Sequence, residues 1–207
     1  SQDIEGPGGA PEMYSRWIQL GSFSGIMRAH ERGMSAGGCN APFPTQAQSC
    51  SHVRPWEAPP LFFEANRRAL TARSDLLPYI YTAAREAHDD GVGLTRPMYW
   101  YHPDVDAAYP EDMTSNLGQT PSTRQYYFGR DFLVAPVTSP SACSADAVKS
   151  GSVLYEPCGV TPQHVWVPPG TFVEVTSGNV VTGPSMVHRA YALDEIPLFA
   201  KAGAIVP

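Results

Sequence analysis

The sequence predicts an α/β first half and an all-β second half, with the change of texture near residue 92. Three observations lead there. The stretch 61–89 carries apolar residues at helical spacing. Beyond Gly93 the chain becomes short runs of β-branched and aromatic residues separated by turn residues. Twenty-one prolines and eighteen glycines call for many turns and disfavour a helical bundle.

Taken in order, residues 1–9 are acid and glycine, suited to a turn. Pro11 and Glu12 open a helix, with proline in the first turn and an acid at the positive end of the dipole. Met13, Trp17 and Leu20 follow at helical spacing, Trp17 as core, and Gly21 and Gly25 end the helix. Ile26-Met27 begin a short strand that finishes at Arg28-Ala29-His30. Residues 31–58 form a long loop ending in Arg54-Pro55-Trp56-Glu57. A connection of that length is usually functional or disordered, and a tryptophan beside an arginine and a glutamate favours function. The helix 61–89 has Phe63, Leu70, Leu77, Tyr81 and Ala84 on one stripe and Arg67, Arg68, Arg73 and Arg85 on other faces. Pro78 should kink it, because the bond back to the Ser74 carbonyl is lost. Gly91 is its stop, and Asp89-Asp90 oppose the dipole there, so the last turn should fray.

In the second half, 98–101, 126–128, 132–137, 164–167 and 171–175 read as strands. Thr176-Ser177-Gly178-Asn179 reads as a hairpin turn into another strand at Val180. This part predicts an antiparallel β-sandwich. The first part fits the closing units of a (β/α)8 barrel, in which functional groups collect at the C-terminal ends of the strands. Asp3-Ile4-Glu5-Gly6 before a helix and Arg28-Ala29-His30 ending a strand both stand in that position.

Composition narrows the function. A net charge of -6 and a pI near 5.4 leave no electrostatic footprint for nucleic acid. No apolar run approaches the roughly 20 residues that span a bilayer. The N-terminus has no initiating Met, basic region or apolar core and does not read as a signal peptide, and Gly203-Ala204-Ile205-Val206-Pro207 reads as a strand cut short. Both ends are therefore expected to be cuts through something larger. The four cysteines form two local pairs, Cys39 with Cys50 and Cys143 with Cys158. They are either two disulfides across Pro/Ser/Gly-rich loops or four unrelated thiols. A bridge closing a loop of about 15 residues gains on the order of 3 kcal/mol. Such pairs favour the secretory pathway or the extracellular space. With no C-x-x-C spacing, no zinc site is expected.

The string Glu12-Met13-Tyr14-Ser15-Arg16-Trp17-Ile18-Gln19-Leu20-Gly21-Ser22-Phe23-Ser24 resembles a stretch of glycoside hydrolase family 31, which includes the α-glucosidases, glucosidase II and the α-xylosidases. Further blocks match in order, among them Asp3-Ile4-Glu5-Gly6, Met27-Arg28-Ala29-His30, Pro55-Trp56-Glu57, Arg73-Ser74-Asp75-Leu76-Leu77-Pro78-Tyr79, Phe128-Gly129-Arg130-Asp131-Phe132 and Ile196-Pro197-Leu198-Phe199. No single block is decisive; the ordered series is specific. The resemblance implies that residues 1–91 are the C-terminal end of the catalytic barrel and 92–207 an incomplete proximal C-terminal β-sandwich.

It also implies a retaining α-glycosidase that hydrolyses terminal α-linked glucose or a related sugar from oligosaccharides or glycans. Its partner is a carbohydrate and it needs no cofactor. Retention requires two carboxyl groups about 5–5.5 Å apart. The family's nucleophile motif, Trp-x-Asp-Met-Asn-Glu, is absent from this sequence, as is the acid/base segment, so the fragment alone should be inactive. Asp3 matches the pocket aspartate after the seventh strand, and His30 the histidine that hydrogen-bonds sugar hydroxyls at the end of the eighth. A carboxylate plus an imidazole supply the acceptor and donor that neutral hydroxyls need.

Arg28, on the same face of the strand as His30, either touches sugar or orients its neighbours. Trp56 is either a stacking platform or a buried anchor for the loop. Glu57 and Asp131 do not form a catalytic pair, and His52, His88, His102, His164 and His188 are scattered without ligand spacing. The departures at Glu5 and Pro7 from the family's usual Asp-Ile-Gly-Gly-Phe raise an alternative, a non-catalytic carbohydrate-binding protein on a decayed barrel.

Overall fold

The computed structural model of the chain describes residues 2–4, 11–29, 55–109, 124–141 and 159–206. They divide between two compact units. The first is drawn from Ser1–Asp75, Val137–Thr161 and Tyr191–Glu195, and the second from Leu76–Pro136, Pro162–Ala190 and Ile196–Pro207. Cys39, Cys50, Cys143 and Cys158 all lie outside the described residues, and with them both expected disulfides. His30 lies outside them as well.

The first unit opens with strand β1 (Gln2–Ile4), helix α1 (Pro11–Ser22) and strand β2 (Met27–Ala29). The two strands pair in parallel, Asp3 beside Arg28 and Ile4 beside Ala29. Helix α1 joins them and packs against both, the strand–helix–strand unit from which a parallel barrel is built. The buried face of α1 is not the expected Met13/Trp17/Leu20 stripe. Tyr14 and Ile18 are fully buried, Trp17 is half-buried and Met13 is half exposed. Arg16 and Gln19 are buried as well. Their partners explain the shift. Arg16 Nη1 donates to the carbonyls of Ala192, Leu193 and Glu195 at 3.1–3.3 Å and to Gln19 Oε1 at 3.2 Å. Gln19 Nε2 donates to the Leu193 carbonyl. A segment more than 170 residues away thus recruits polar residues inward, which periodicity cannot foresee.

Arg73 performs a second service for α1. Its guanidinium donates to the carbonyls of Gly21, Ser22, Ser24 and Gly25 at 2.7–3.3 Å, filling the acceptors that a helix C-terminus leaves open. Expected on an outward face, Arg73 is instead the cap of α1.

The expected single kinked helix is two helices, α2 (Pro60–Asp75) and α3 (Leu77–Asp90). Pro78 lacks an N–H and its ring excludes the carbonyl four residues back, so α2 ends and α3 restarts with proline in its first turn. In both helices the buried positions fall one residue before the expected stripe. Phe62, Ala65, Asn66 and Ala69 are buried on α2, and Tyr79, Ile80 and Ala83 on α3, whereas Leu77 and Tyr81 of the expected stripe are exposed, Tyr81 to 80%. Gly91 ends α3 in the left-handed conformation, its N–H bonded to the Ala87 carbonyl at 3.0 Å, as expected. The last turn is helical through Asp90, and there Asp89 pairs with Arg85 at 2.7 Å.

The second unit is a six-stranded antiparallel sheet. Its strands are β3 (Thr95–Pro97), β4 (Tyr126–Phe128), β5 (Phe132–Val134), β6 (Thr161–Glu174), β7 (Val180–Tyr191) and β8 (Leu198–Lys201), in the order β3-β4-β5-β8-β6-β7. Leu133, Val165, Val167, Phe172 and Phe199 form its core with Trp166 and Tyr127. Two expectations fail. The aromatic run at 98–101 is a 3-10 turn (Met98–Trp100), not a strand. Its four large side chains do not alternate, and Met98 alone of 98–100 is buried. The separate strands expected at 164–167 and 171–175 are one strand, β6, which runs through Pro168 and Pro169. The expected hairpin turn between β6 and β7 is present, closed by bonds from Glu174 N–H to the Asn179 carbonyl and Gly178 N–H to the Glu174 carbonyl. Beside it the nearly fully buried Glu174 pairs with Arg189 at 2.6 Å.

The Tyr79 hydroxyl sits in the β4–β5 turn, donating to the Phe128 carbonyl at 3.0 Å and accepting the Asp131 N–H at 3.1 Å. Burial pushes its pKa up to about 12. Gly129 adopts a φ of +67° there, and a β-carbon on it would fall on the Tyr79 hydroxyl. Gly129→Ala should therefore cost about 3 kcal/mol, part from left-handed strain and part from displacing the hydroxyl. The check is a denaturant midpoint followed on the second unit, and an unchanged midpoint would refute this account of the turn.

Candidate active-site wall

The C-terminal ends of parallel strands carry backbone groups with no further partner in the sheet, and side chains there face a crevice, which is why sites collect at that edge. In the first unit this edge is formed by Ile4 and Ala29, side by side in register. Neighbouring strands lie about 4.8 Å apart, so the backbones of Ile4 and Ala29 are close neighbours at this edge. Asp3 is one position inside the edge on β1, and its register partner on β2 is Arg28. Arg28 is exposed. The chain leaves β2 at Ala29 and enters residue 30 directly.

Trp56 is placed by other elements. It stands on a 3-10 turn (Pro55–Glu57) that leads into α2, and it is 63% exposed. That exposure does not agree with a buried anchor for the loop. What fixes the turn is Asn66, buried in α2, whose Nδ2 donates to the Pro55 carbonyl at 3.1 Å. Asn66 had no role in the sequence reading. Its only signal was an amide in the middle of a helix, where asparagine is disfavoured unless its side chain has work elsewhere.

The histidines divide. His164 and His188, distant in sequence, are brought into edge contact across β6 and β7 with ring centroids 4.4 Å apart. No group of three or more metal-ligating side chains exists among the described residues. His102 shares a 2.9 Å hydrogen bond with the Tyr127 hydroxyl and lies edge-on to Trp166, and burial holds its pKa below the usual histidine value. Asp131 belongs to the β4–β5 turn, where its main chain accepts from Lys201 and donates to Tyr79.

The comparison with known families decides what this wall belongs to. Residues 91–206 match the glycosyl hydrolase family 31 C-terminal domain, and residues 1–83 match the glycosyl hydrolases family 31 TIM-barrel domain. The chain belongs to glycoside hydrolase family 31. Residues 1–83 are accordingly part of a family 31 (β/α)8 barrel, and the antiparallel sheet belongs to the family's C-terminal domain.

The relatives carry the names of both transferases and hydrolases. A 1,6-alpha-glucosyltransferase of Sporosarcina globispora is 26% identical over 95% of this chain and 12% of its own length. Neutral alpha-glucosidase AB of Homo sapiens is 28% identical over 95% of the chain and 16% of its own length. Among solved structures, a cycloalternan-forming enzyme from Listeria monocytogenes in complex with a pentasaccharide substrate superposes with a TM-score of 0.70 at 27% identity, covering 99% of this chain and 16% of that one. A Flavobacterium johnsoniae GH31 dextranase mutant complexed with isomaltotriose gives 0.69 at 25% identity, covering 99% and 20%. The chain therefore spans only 12% to 20% of the length of these proteins.

Proposed function

We propose that this chain is part of a retaining α-glycosidase that removes terminal α-linked glucose or a related sugar from oligosaccharides or glycans. Residues 1–91 would close its catalytic barrel and residues 92–207 would form the proximal part of the following β-sandwich. The observation that carries the reading is the parallel β1/β2 pair joined by α1, which sets Asp3 one position from the sheet edge and delivers the chain to His30 just beyond it. In this reading Asp3 accepts from a sugar hydroxyl, His30 hydrogen-bonds a second, Arg28 orients the carboxylate, and Trp56 offers a ring face at the rim. The nucleophile and acid/base carboxylates come from segments outside this sequence, so the 207 residues alone do not turn over substrate. Membership of a family whose relatives include hydrolases and glucosyltransferases supports the glycoside chemistry.

The test is His30→Ala in the full-length protein. It should lower kcat/KM for a chromogenic α-glucoside by roughly 100-fold or more, the scale on which a donor to a developing charge or a positioning group acts, about 3 kcal/mol. Unchanged kinetics would remove His30 from the site. Binding of glucose or maltose in the calorimeter with no turnover by the unsubstituted protein would instead favour the non-catalytic sugar-binding alternative that the departures at Glu5 and Pro7 raise.

A further inference from the structure

The second unit holds a cavity of about 480 Å³ that the barrel reading does not use. It is lined by Glu86 and Asp90 of α3, Arg96 of β3 and Arg130 of the β4–β5 turn, together with Trp100 and Tyr101. The volume lies within the range of small-molecule sites. The floor is a built network. Arg96 is almost wholly buried, yet it lines the space, with Nε held by the Gly93 carbonyl at 2.8 Å and Nη1 by the Tyr101 hydroxyl. Arg130 bridges Glu86 at 3.0 Å and Asp90 at 3.6 Å, and Glu86 lies 4.0 Å from Arg96.

This arrangement selects a ligand class. The two guanidiniums and two carboxylates compensate one another, leaving the Lys201 ammonium as the net charge of the lining. An anion would meet Glu86 and Asp90, and a cation would meet Arg96 and Arg130. A neutral hydroxyl meets neither penalty, because it donates to a carboxylate oxygen and accepts from a guanidinium N–H at once. Trp100 adds a ring that is 54% exposed, an apolar face against which the C–H face of a pyranose can lie. Polar forks together with an open aromatic ring are what a sugar needs.

We propose that this cavity is a carbohydrate site that takes a neutral oligosaccharide through Trp100, the Arg96–Glu86–Arg130 network and the Tyr101 hydroxyl. Its argument stands on the lining; only the choice of α-linked probes rests on the glycosidase reading.

Hydrogen exchange on the full-length protein tests this, with maltotriose and isomaltotriose as ligands and inorganic phosphate as the anionic comparison. Either trisaccharide should slow exchange several-fold across 96–102, equally in the unsubstituted protein and in His30→Ala, and Trp100→Ala should abolish the slowing. No slowing with either sugar, slowing with phosphate alone, or slowing that survives in a folded Trp100→Ala would overturn the proposal. If Trp100→Ala does not fold, the unsubstituted protein decides between the first two outcomes and the expected one. Slowing at 96–102 in a protein that does not cleave a chromogenic α-glucoside would sink the glycosidase reading and leave this site standing. Cleavage without slowing would do the reverse.

Discussion

Arg16→Ala should destabilise the first unit by about 4 kcal/mol, because it removes a buried charge that satisfies several acceptors at once. Three main-chain carbonyls, those of Ala192, Leu193 and Glu195, and the Gln19 side chain lose their donor together. Glu12, 3.8 Å from Arg16 Nε, loses its nearest cation on α1, while its carboxylate still accepts from the Ser141 N–H and hydroxyl at 3.1 and 2.7 Å. Burial lowers the pKa of the guanidinium, and Glu12, Asp194 and Glu195 oppose that shift. The group stays charged throughout the working pH range, so its loss is a loss at every pH. Arg16→Lys should recover less than half the deficit, since one ammonium cannot serve carbonyls spread across a guanidinium's width. Native-state hydrogen exchange on α1 in the full-length protein measures both. A loss under about 1 kcal/mol for Arg16→Ala would show that the carbonyls of 192–195 find water instead.

Gly183→Ala should cost the second unit about 3 kcal/mol by overpacking two backbones. A β-carbon at Gly183 would overlap the carbonyls of Val167 and Pro168 on the neighbouring strand. Those atoms are main chain and cannot rotate away as a side chain would, so β6 and β7 must separate locally. Gly178, in the β6–β7 turn, provides the contrast. It has a φ of +74° and nothing within 4 Å of its would-be β-carbon. Gly178→Ala should cost only the left-handed strain, about 1 kcal/mol. Denaturant midpoints for the pair separate the two causes, and equal losses would mean that the close approach at Gly183 is relieved elsewhere.

These two sites show why the sequence was legible in some places and not in others. The Gly91 stop, the turn at 176–179 and the strand at 126–128 depend on nearest neighbours, and each stands where local chemistry puts it. The division of one expected helix at Leu76 was half legible: Pro78 signalled the break, but the buried positions of both helices fall one residue before the expected stripe. The inward turn of Arg16 and Gln19, the capping of α1 by Arg73 and the seating of the Pro55–Glu57 turn by Asn66 were not legible. Each depends on a partner between 11 and 179 residues away along the chain.

The candidate site follows the same division. Asp3, Arg28, His30 and Trp56 were picked out because strand-end and loop positions are readable from breakers and short apolar runs. The cavity of Glu86, Arg96, Trp100 and Arg130 was not, since a helix, a strand running into a 3-10 turn, and a hairpin about 30 residues further on all contribute to it. By itself the sequence determined the family, the α/β-then-β order of the chain and the candidate wall residues, because these rest on strings of adjacent residues. Tertiary structure alone decided the parallel register that sets Asp3 beside Arg28, and which arginines turn inward. A buried guanidinium is stable only where several acceptors converge, and convergence is a property of the folded chain.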